Sequence, residues 1–479
     1  MADGKLMDDV PDSATSRRER LLVAMASAQG SSGLGSYSLG RGAALSFLAL
    51  IVITLLWPRY FYLSVPGLPG ISPFVIYSTL FFAAGIFYAF VVKRVWNPFL
   101  YAFNRSKFIF LLLGAYSFWR FLSSFFGKPV SSSIPIVEYF RVYVPIALIF
   151  LSSTVYLLDR NIYRHALRAI IICVILISVG AFIEILYNMR LMMLSGLNRY
   201  AAGGILAESF MNNFYRDGSL RAQSLMTQPL VLGQFAGALV PLCAALAINE
   251  KAGWRYASMI AVFGCMYCVF VSTSRSGLLV FIVANLFFVL LMTLNWFKYR
   301  WLILTLSLAI ASVVSLYAFY LGDALTQVVG GTADNLSSAR IREIMVSDAL
   351  TRASESPWMG HGDGTAQFLA GVTGPTGMAT IDSLYLSILI HGGYVGLVLW
   401  VAFMSALIMM AVRNALEGAN AYVRAINSAI AAFLVGMGVG FSVLSIEDNV
   451  ALVFLFAGMV IADRLGTRSS PGRLGGAVF

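Results

Sequence analysis

Arg255–Trp296 reads RYASMIAVFGCMYCVFVSTSRSGLLVFIVANLFFVLLMTLNW. Two apolar runs, 255–273 and 276–296, are each long enough to cross a bilayer, which takes about 20 residues. One short polar break, Ser272-Thr-Ser-Arg-Ser-Gly277, separates them. Two spanning helices joined by so tight a turn define an all-α, polytopic membrane protein. The rest of the chain agrees. It has 479 residues, 59% of them hydrophobic and 11% charged, with a mean hydropathy of +0.81. A soluble domain carries about 25% charged residues. An ordinary cytoplasmic enzyme, a disordered chain and a disulfide-rich secreted scaffold are thereby excluded.

Working outward in both directions predicts about twelve spans. They cover 43–62, 70–92, 108–126, 136–157, 166–187, 229–248, 255–273, 276–296, 301–321, 383–412, 426–444 and 449–465. The tenth is long and interrupted by Gly392-Gly393. Such a break is tolerated where neighbours satisfy the freed backbone groups. Residues 1–42 are polar, rich in Ser and Gly, and read as a flexible cytoplasmic tail without a signal-peptide core. The expected organisation is that tail, membrane helices over 43–187, a loop over 188–228, helices over 229–321, a large loop over 322–382, helices over 383–465, and a cytoplasmic tail over 466–479.

The formal net charge of +11 is an orientation signal. With both termini in the cytoplasm, the inner segments hold 21 basic and 9 acidic residues, and the outer ones 12 and 13. The excess of +12 inside and −1 outside accounts for the whole +11 and obeys the positive-inside rule. A nucleic-acid partner is not needed. Eleven of the twelve outer basic residues are arginines, whose planar fork suits phosphate. The four cysteines lie in apolar runs. Cys265-Met-Tyr-Cys268 has no polar ligands around it and reads as small packing residues.

The two long outer segments, 188–228 and 322–382, are where chemistry is expected. The first ends Arg221-Ala-Gln-Ser-Leu-Met-Thr-Gln-Pro229. Pro229 suits a first helical turn and puts Arg221 just above the membrane, either as an interfacial anchor or as an anion ligand. In the break, Ser274 and its neighbours can cap the next helix, and Arg275 beside a helix N-terminus makes an anion site. The second segment carries Arg340, Arg342 and an amphipathic stretch to Ala353. This reads as a short helix lying on the membrane. A glycine-rich turn, Gly360-His-Gly-Asp-Gly364, follows it and includes His361. No strand precedes these glycines, so they are not a dinucleotide fingerprint. Asp382 and Ser383 can cap the tenth span, and Tyr385 shares a face with Asp382. His391 lies two turns deeper and reads as a packing residue before a base. Arg120 and Arg141 sit in spans toward the outer leaflet, and such charges are paired or functional. Glu184 could pair with either. Glu447 and Asp448 read as loop charges. No cluster has metal-ligand spacing, so no metal is expected and activity should survive a chelator.

These segments resemble the O-antigen ligase and polymerase superfamily of bacterial surface-polysaccharide assembly. The resemblance rests on Arg221 before Pro229-Leu-Val-Leu-Gly233, on Ser272-Thr-Ser-Arg275-Ser-Gly277, and on Arg342 before Asp348-Ala-Leu350, Pro357 and Gly360-His-Gly362. It rests also on Asp382-Ser-Leu-Tyr385-Leu followed by Gly392-Gly-Tyr-Val-Gly396. It covers roughly 215–410. It implies a bundle similar to glycosyltransferases of the C type, in the bacterial inner membrane with its active site facing the periplasm. It also implies a donor glycan on undecaprenyl pyrophosphate, no nucleotide sugar and no cofactor. Ligases of the superfamily typically carry a histidine near the position of Asp382. The aspartate here favours a Wzy-type polymerase, whose acceptor is a hydroxyl of another lipid-linked repeat unit, over a ligase acting on lipid A–core. The roles implied are Arg221 and Arg275 on the pyrophosphate and Asp382 as base. Arg342, Arg340, Tyr385, His361, Ser274, Arg120 and Arg141 would bind substrate. Implied partners are the lipid-linked donor and acceptor and membrane lipids, with a flippase and a chain-length regulator nearby. A flippase is the rival from another class. It calls for paired broken helices in repeated halves, and no such repeat stands out.

Overall fold

A computed structural model describes residues 41–57, 73–87, 96–130, 134–194, 215–216, 219–294, 333–373, 379–418, 420–443 and 449–466. Fourteen helices are described. In order they are α1 (Arg41–Leu56), α2 (Pro73–Ile86), α3 (Trp96–Phe126), α4 (Pro135–Tyr156), α5 (Arg160–Tyr187), α6 (Leu191–Leu194), α7 (Pro229–Asn249), α8 (Ala252–Val271), α9 (Arg275–Leu294), α10 (Ala333–Glu355), α11 (Ala366–Ala370), α12 (Leu384–Glu417), α13 (Ala421–Gly440) and α14 (Val450–Gly466). The fourth contains a π-helical stretch over Tyr139–Tyr143. Two two-residue hairpins complete the description: β1 (Tyr215–Arg216) with β2 (Ser219–Leu220), and β3 (Val372–Thr373) with β4 (Ala379–Thr380).

The chain is a multi-pass membrane protein. Among the described residues eight helices are long and apolar enough to cross a bilayer: α3, α4, α5, α7, α8, α9, α12 and α13. This differs from the twelve spans expected. Three of the remaining four fall on the shorter helices α1, α2 and α14, and the span expected over 301–321 lies outside the described residues. So do the tail over 1–40, residues 467–479, Glu447 and Asp448.

Local signals set the helix ends. Asp159 caps α5, accepting the Asn161 N–H at 2.9 Å, and Asn188 closes it in the left-handed region at φ 50°. Pro229 occupies the first turn of α7, where its missing N–H costs nothing. Asn420 caps α13 through the Val423 N–H. Helices α7 and α13 form the inside of the bundle and are far more buried than their neighbours. Helix α7 packs on α8, α9 and α13; α13 packs on α9 and α12. Gly233 of α7 lies against Gly277 of α9. A Cβ on Gly277 would meet the Gly233 backbone at 2.7 Å, so only glycine lets these backbones approach. That contact brings the Ser272–Ser276 turn against the N-terminal end of α7. The ends of α7, α9, α12 and α13 meet there. Gln234 Nε2 donates to Gly440 O at 3.1 Å, and the Leu384 N–H donates to Phe441 O at 2.9 Å.

Candidate active site

Arg221 and Arg275 are brought to one turn. The Ala222 N–H donates to Val271 O at 3.1 Å, and Arg221 Nε donates to Ser272 O at 3.1 Å. Arg221 is therefore laid across the C-terminal end of α8, where carbonyl dipoles favour a cation. Thr273 takes the left-handed region, φ 45°, and the chain reverses into α9. Buried Ser274 accepts the Gly277 N–H on its Oγ at 3.0 Å, capping α9. Arg275 is the first residue of α9 and is exposed. A half-buried and an exposed guanidinium thus flank a helix N-terminus, an arrangement suited to an anion.

Asp382 lies where β4 gives way to α12. Ser383, not Asp382, is the cap: its Oγ accepts the Leu386 N–H at 3.4 Å. Asp382 itself, the residue before the cap, is half-buried. Tyr385 OH donates to Gly438 O at 2.8 Å, tying the first turn of α12 to α13. A continuous path links the two arginines to this turn. It runs from Gly277 against Gly233, through Gln234 to Gly440, to Phe441 and Leu384.

Arg120 has a partner that sequence reading missed. Its Nε and Nη2 reach Asp363 Oδ1 at 2.9 and 2.8 Å, and its guanidinium lies 4.3 Å from the centre of the Tyr143 ring. Both ion-pair residues are buried. Asp363 belongs to the glycine-rich turn, so the pair fastens the 322–382 segment to α3. Arg141 pairs instead with Glu138 at 2.8 Å and is exposed. The expected pairing of Glu184 with Arg120 or Arg141 is therefore corrected. Glu184 accepts backbone N–H groups of the other long segment. A signal for Asp363 did exist. A buried arginine needs a carboxylate, and Asp363 is the acid of the glycine-rich turn.

The same turn fills the break in α12. Gly393 leaves the helical region at φ 64°, which frees backbone groups around it. The His361 N–H donates to Ile390 O at 2.7 Å and the Gly362 N–H to His391 O at 2.9 Å. Trp119 Nε1 donates to Gly392 O at 2.8 Å, Ser123 Oγ donates to His391 O, and the Tyr394 N–H donates to Pro357 O at 2.7 Å. His391 Nε2 accepts the Ala366 N–H at 3.4 Å, and its Nδ1 faces Asp363 at 3.7 Å. His391 is thus part of the scaffold. His361 is half-buried, and its Nε2 lies 2.9 Å from Arg352 O at the end of α10. Arg340 and Arg342 lie on α10, and their side chains fall outside the described residues. A small cavity lined by Tyr116, Arg120, Tyr143, Leu384, Ile388 and Trp400 sits between the ion pair and the first turns of α12.

Residues 257–401 match the family model described as O-antigen ligase. The match begins in α8 and ends within α12, so it takes in Arg275, α10, the glycine-rich turn and Asp382. It supports the resemblance to the O-antigen ligase and polymerase superfamily. No curated protein matches the chain.

Proposed function

We propose that the chain is a polymerase of a bacterial surface polysaccharide. It acts at the periplasmic face of the inner membrane and transfers a glycan from undecaprenyl pyrophosphate to a hydroxyl of another lipid-linked repeat unit. The observation that carries this reading is the convergence of Arg221, which lies outside the family match, on the turn of Arg275, which lies inside it. The acceptor oxygen attacks the anomeric carbon, and the bond from that carbon to the pyrophosphate oxygen breaks. The lipid pyrophosphate leaves with the electron pair, and the acceptor proton goes to the Asp382 carboxylate. Negative charge grows on the leaving group, so fixed guanidinium groups beside it lower the barrier. Asp382 is the carboxylate next to the Ser383 cap at the start of α12, and a carboxylate is a residue type that serves as a general base.

The description of the matched family favours a second reading, a ligase that attaches the finished glycan to lipid A–core. Deleting the gene separates the two. The polymerase reading expects single repeat units in place of long polymer on gels of surface glycan. Long polymer accumulating on its lipid carrier, with core left bare, would establish the ligase. Unchanged glycan would sink both.

A further inference from the structure

Glu184 stands near the C-terminal end of α5 and is 1% exposed. A charge that deep is costly unless hydrogen-bonded. Its Oε1 accepts the Leu191 N–H at 2.9 Å, and its Oε2 accepts the N–H groups of Gln223 at 2.8 Å and Ser224 at 2.7 Å. Arg190, fully buried, adds an attractive positive charge. One carboxylate therefore holds both described ends of the 188–228 segment. Successive backbone N–H groups form a concavity for an anion. Here the protein's own side chain fills it, two residues beyond Arg221.

The turn is fixed from its other side as well. Ser224 takes the left-handed region at φ 52°, and its Oγ donates to Ile177 O at 2.7 Å. It fits because Gly180 has no Cβ, which would collide with the Ser224 hydroxyl. Leu220 and Ala222, on either side of Arg221, are buried. The backbone of 220–224 is thus clamped between α5 and the C-terminal end of α8, with Arg221 laid on Ser272 O.

We propose that Glu184 is a positioning residue. It sets the Arg221 backbone so that the guanidinium lies on the Ser272–Arg275 turn, completing the arginine pair that takes the pyrophosphate. This rests on the glycosyl-transfer reading above. A carboxylate already receiving three N–H groups is poorly placed to serve as a base, so its contribution runs through Arg221. An amide at 184 has one acceptor oxygen. Whichever way it turns, its NH2 faces a backbone N–H that an oxygen now receives.

A double-mutant cycle with the full chain in lipid nanodiscs tests this, with lipid-linked repeat units as substrate. Glu184→Gln should slow transfer about 10²-fold, the scale of a small misplacement of a reacting group. Arg221→Ala should do the same, and the double variant should be no slower than Arg221→Ala alone. Gly180→Ala, which disturbs Ser224 without touching the charge, should behave like Glu184→Gln. Additive losses, or full activity in Glu184→Gln, would overturn the proposal. A second readout is independent of turnover. Ala222→Cys is buried and should react slowly with a membrane-impermeant maleimide, and about tenfold faster or more when Glu184→Gln is added. Equal labelling would overturn the clamp itself. If Arg221→Ala and Arg275→Ala both keep full activity, the glycosyl-transfer site falls and the labelling alone decides whether Glu184 holds the turn.

Discussion

Two arginines at the candidate site are held in different ways. Arg221 gives its Nε to a helix-end carbonyl, whereas Arg275 begins a helix and faces solvent. Arg275→Lys keeps the charge and loses the planar fork. Its transfer rate should fall about tenfold, between wild type and Arg275→Ala, for which a loss of about 10²–10³ is expected. Initial rates at equal protein level check this order, and a lysine variant as active as wild type would remove the bidentate contact. Asp382→Asn should lower the rate by at least about 10²-fold, since a base supplies about 10²–10⁴. Full polymer length and yield from Asp382→Asn at normal expression would remove it as the base. Residue chemistry was readable from sequence wherever burial made a charge conspicuous. Arg120 stood out because it interrupts an apolar span. Its partner did not, because Asp363 lies 243 positions further on.

Helix ends followed local rules, and helix interiors did not always do so. Ser274, Ser383, Asp159 and Asn420 cap their helices through short-range bonds that the chain encodes within four residues. The interruption at Gly392-Gly393 was also visible. What fills it was not, because the glycine-rich turn that satisfies Ile390 O and His391 O comes from a separate segment. Gly360 is held at φ 74°, and a Cβ there would collide with the His391 carbonyl. Gly360→Ala should destabilise the protein by about 2–4 kcal/mol, from strain and overpacking together. Gly253→Ala, in the first turn of α8 with nothing within 4 Å of a new Cβ, is the control and should cost nothing. Thermal unfolding in detergent measures both. Equal midpoints would show that the turn is not clamped on the broken helix.

Across the whole molecule, polar networks gather at both ends of the bundle. Opposite the arginine turn, buried Asp463 of α14 binds Arg160 Nη1 at 2.6 Å, Tyr163 OH at 2.6 Å and Asn427 Nδ2 at 2.9 Å. That network joins α5, α13 and α14 and contacts none of the site residues named above. Asp463→Ala should cost about 2–3 kcal/mol by leaving buried donors without their acceptor. Transfer per folded molecule should stay unchanged, which unfolding and rate measurements on one preparation would check. A large fall in rate without loss of stability would tie this end to the chemistry. By itself the sequence determined the class, the positions of most long helices and several of their caps, because hydropathy and capping act over a few neighbouring residues. Only the tertiary structure decided that Arg221 lies on the turn of Arg275, that Asp363 neutralises Arg120, and that a glycine-rich turn repairs a broken helix. Those pairings join segments tens to hundreds of residues apart. They are selected by the need to satisfy buried charges and freed backbone groups, which no local periodicity records.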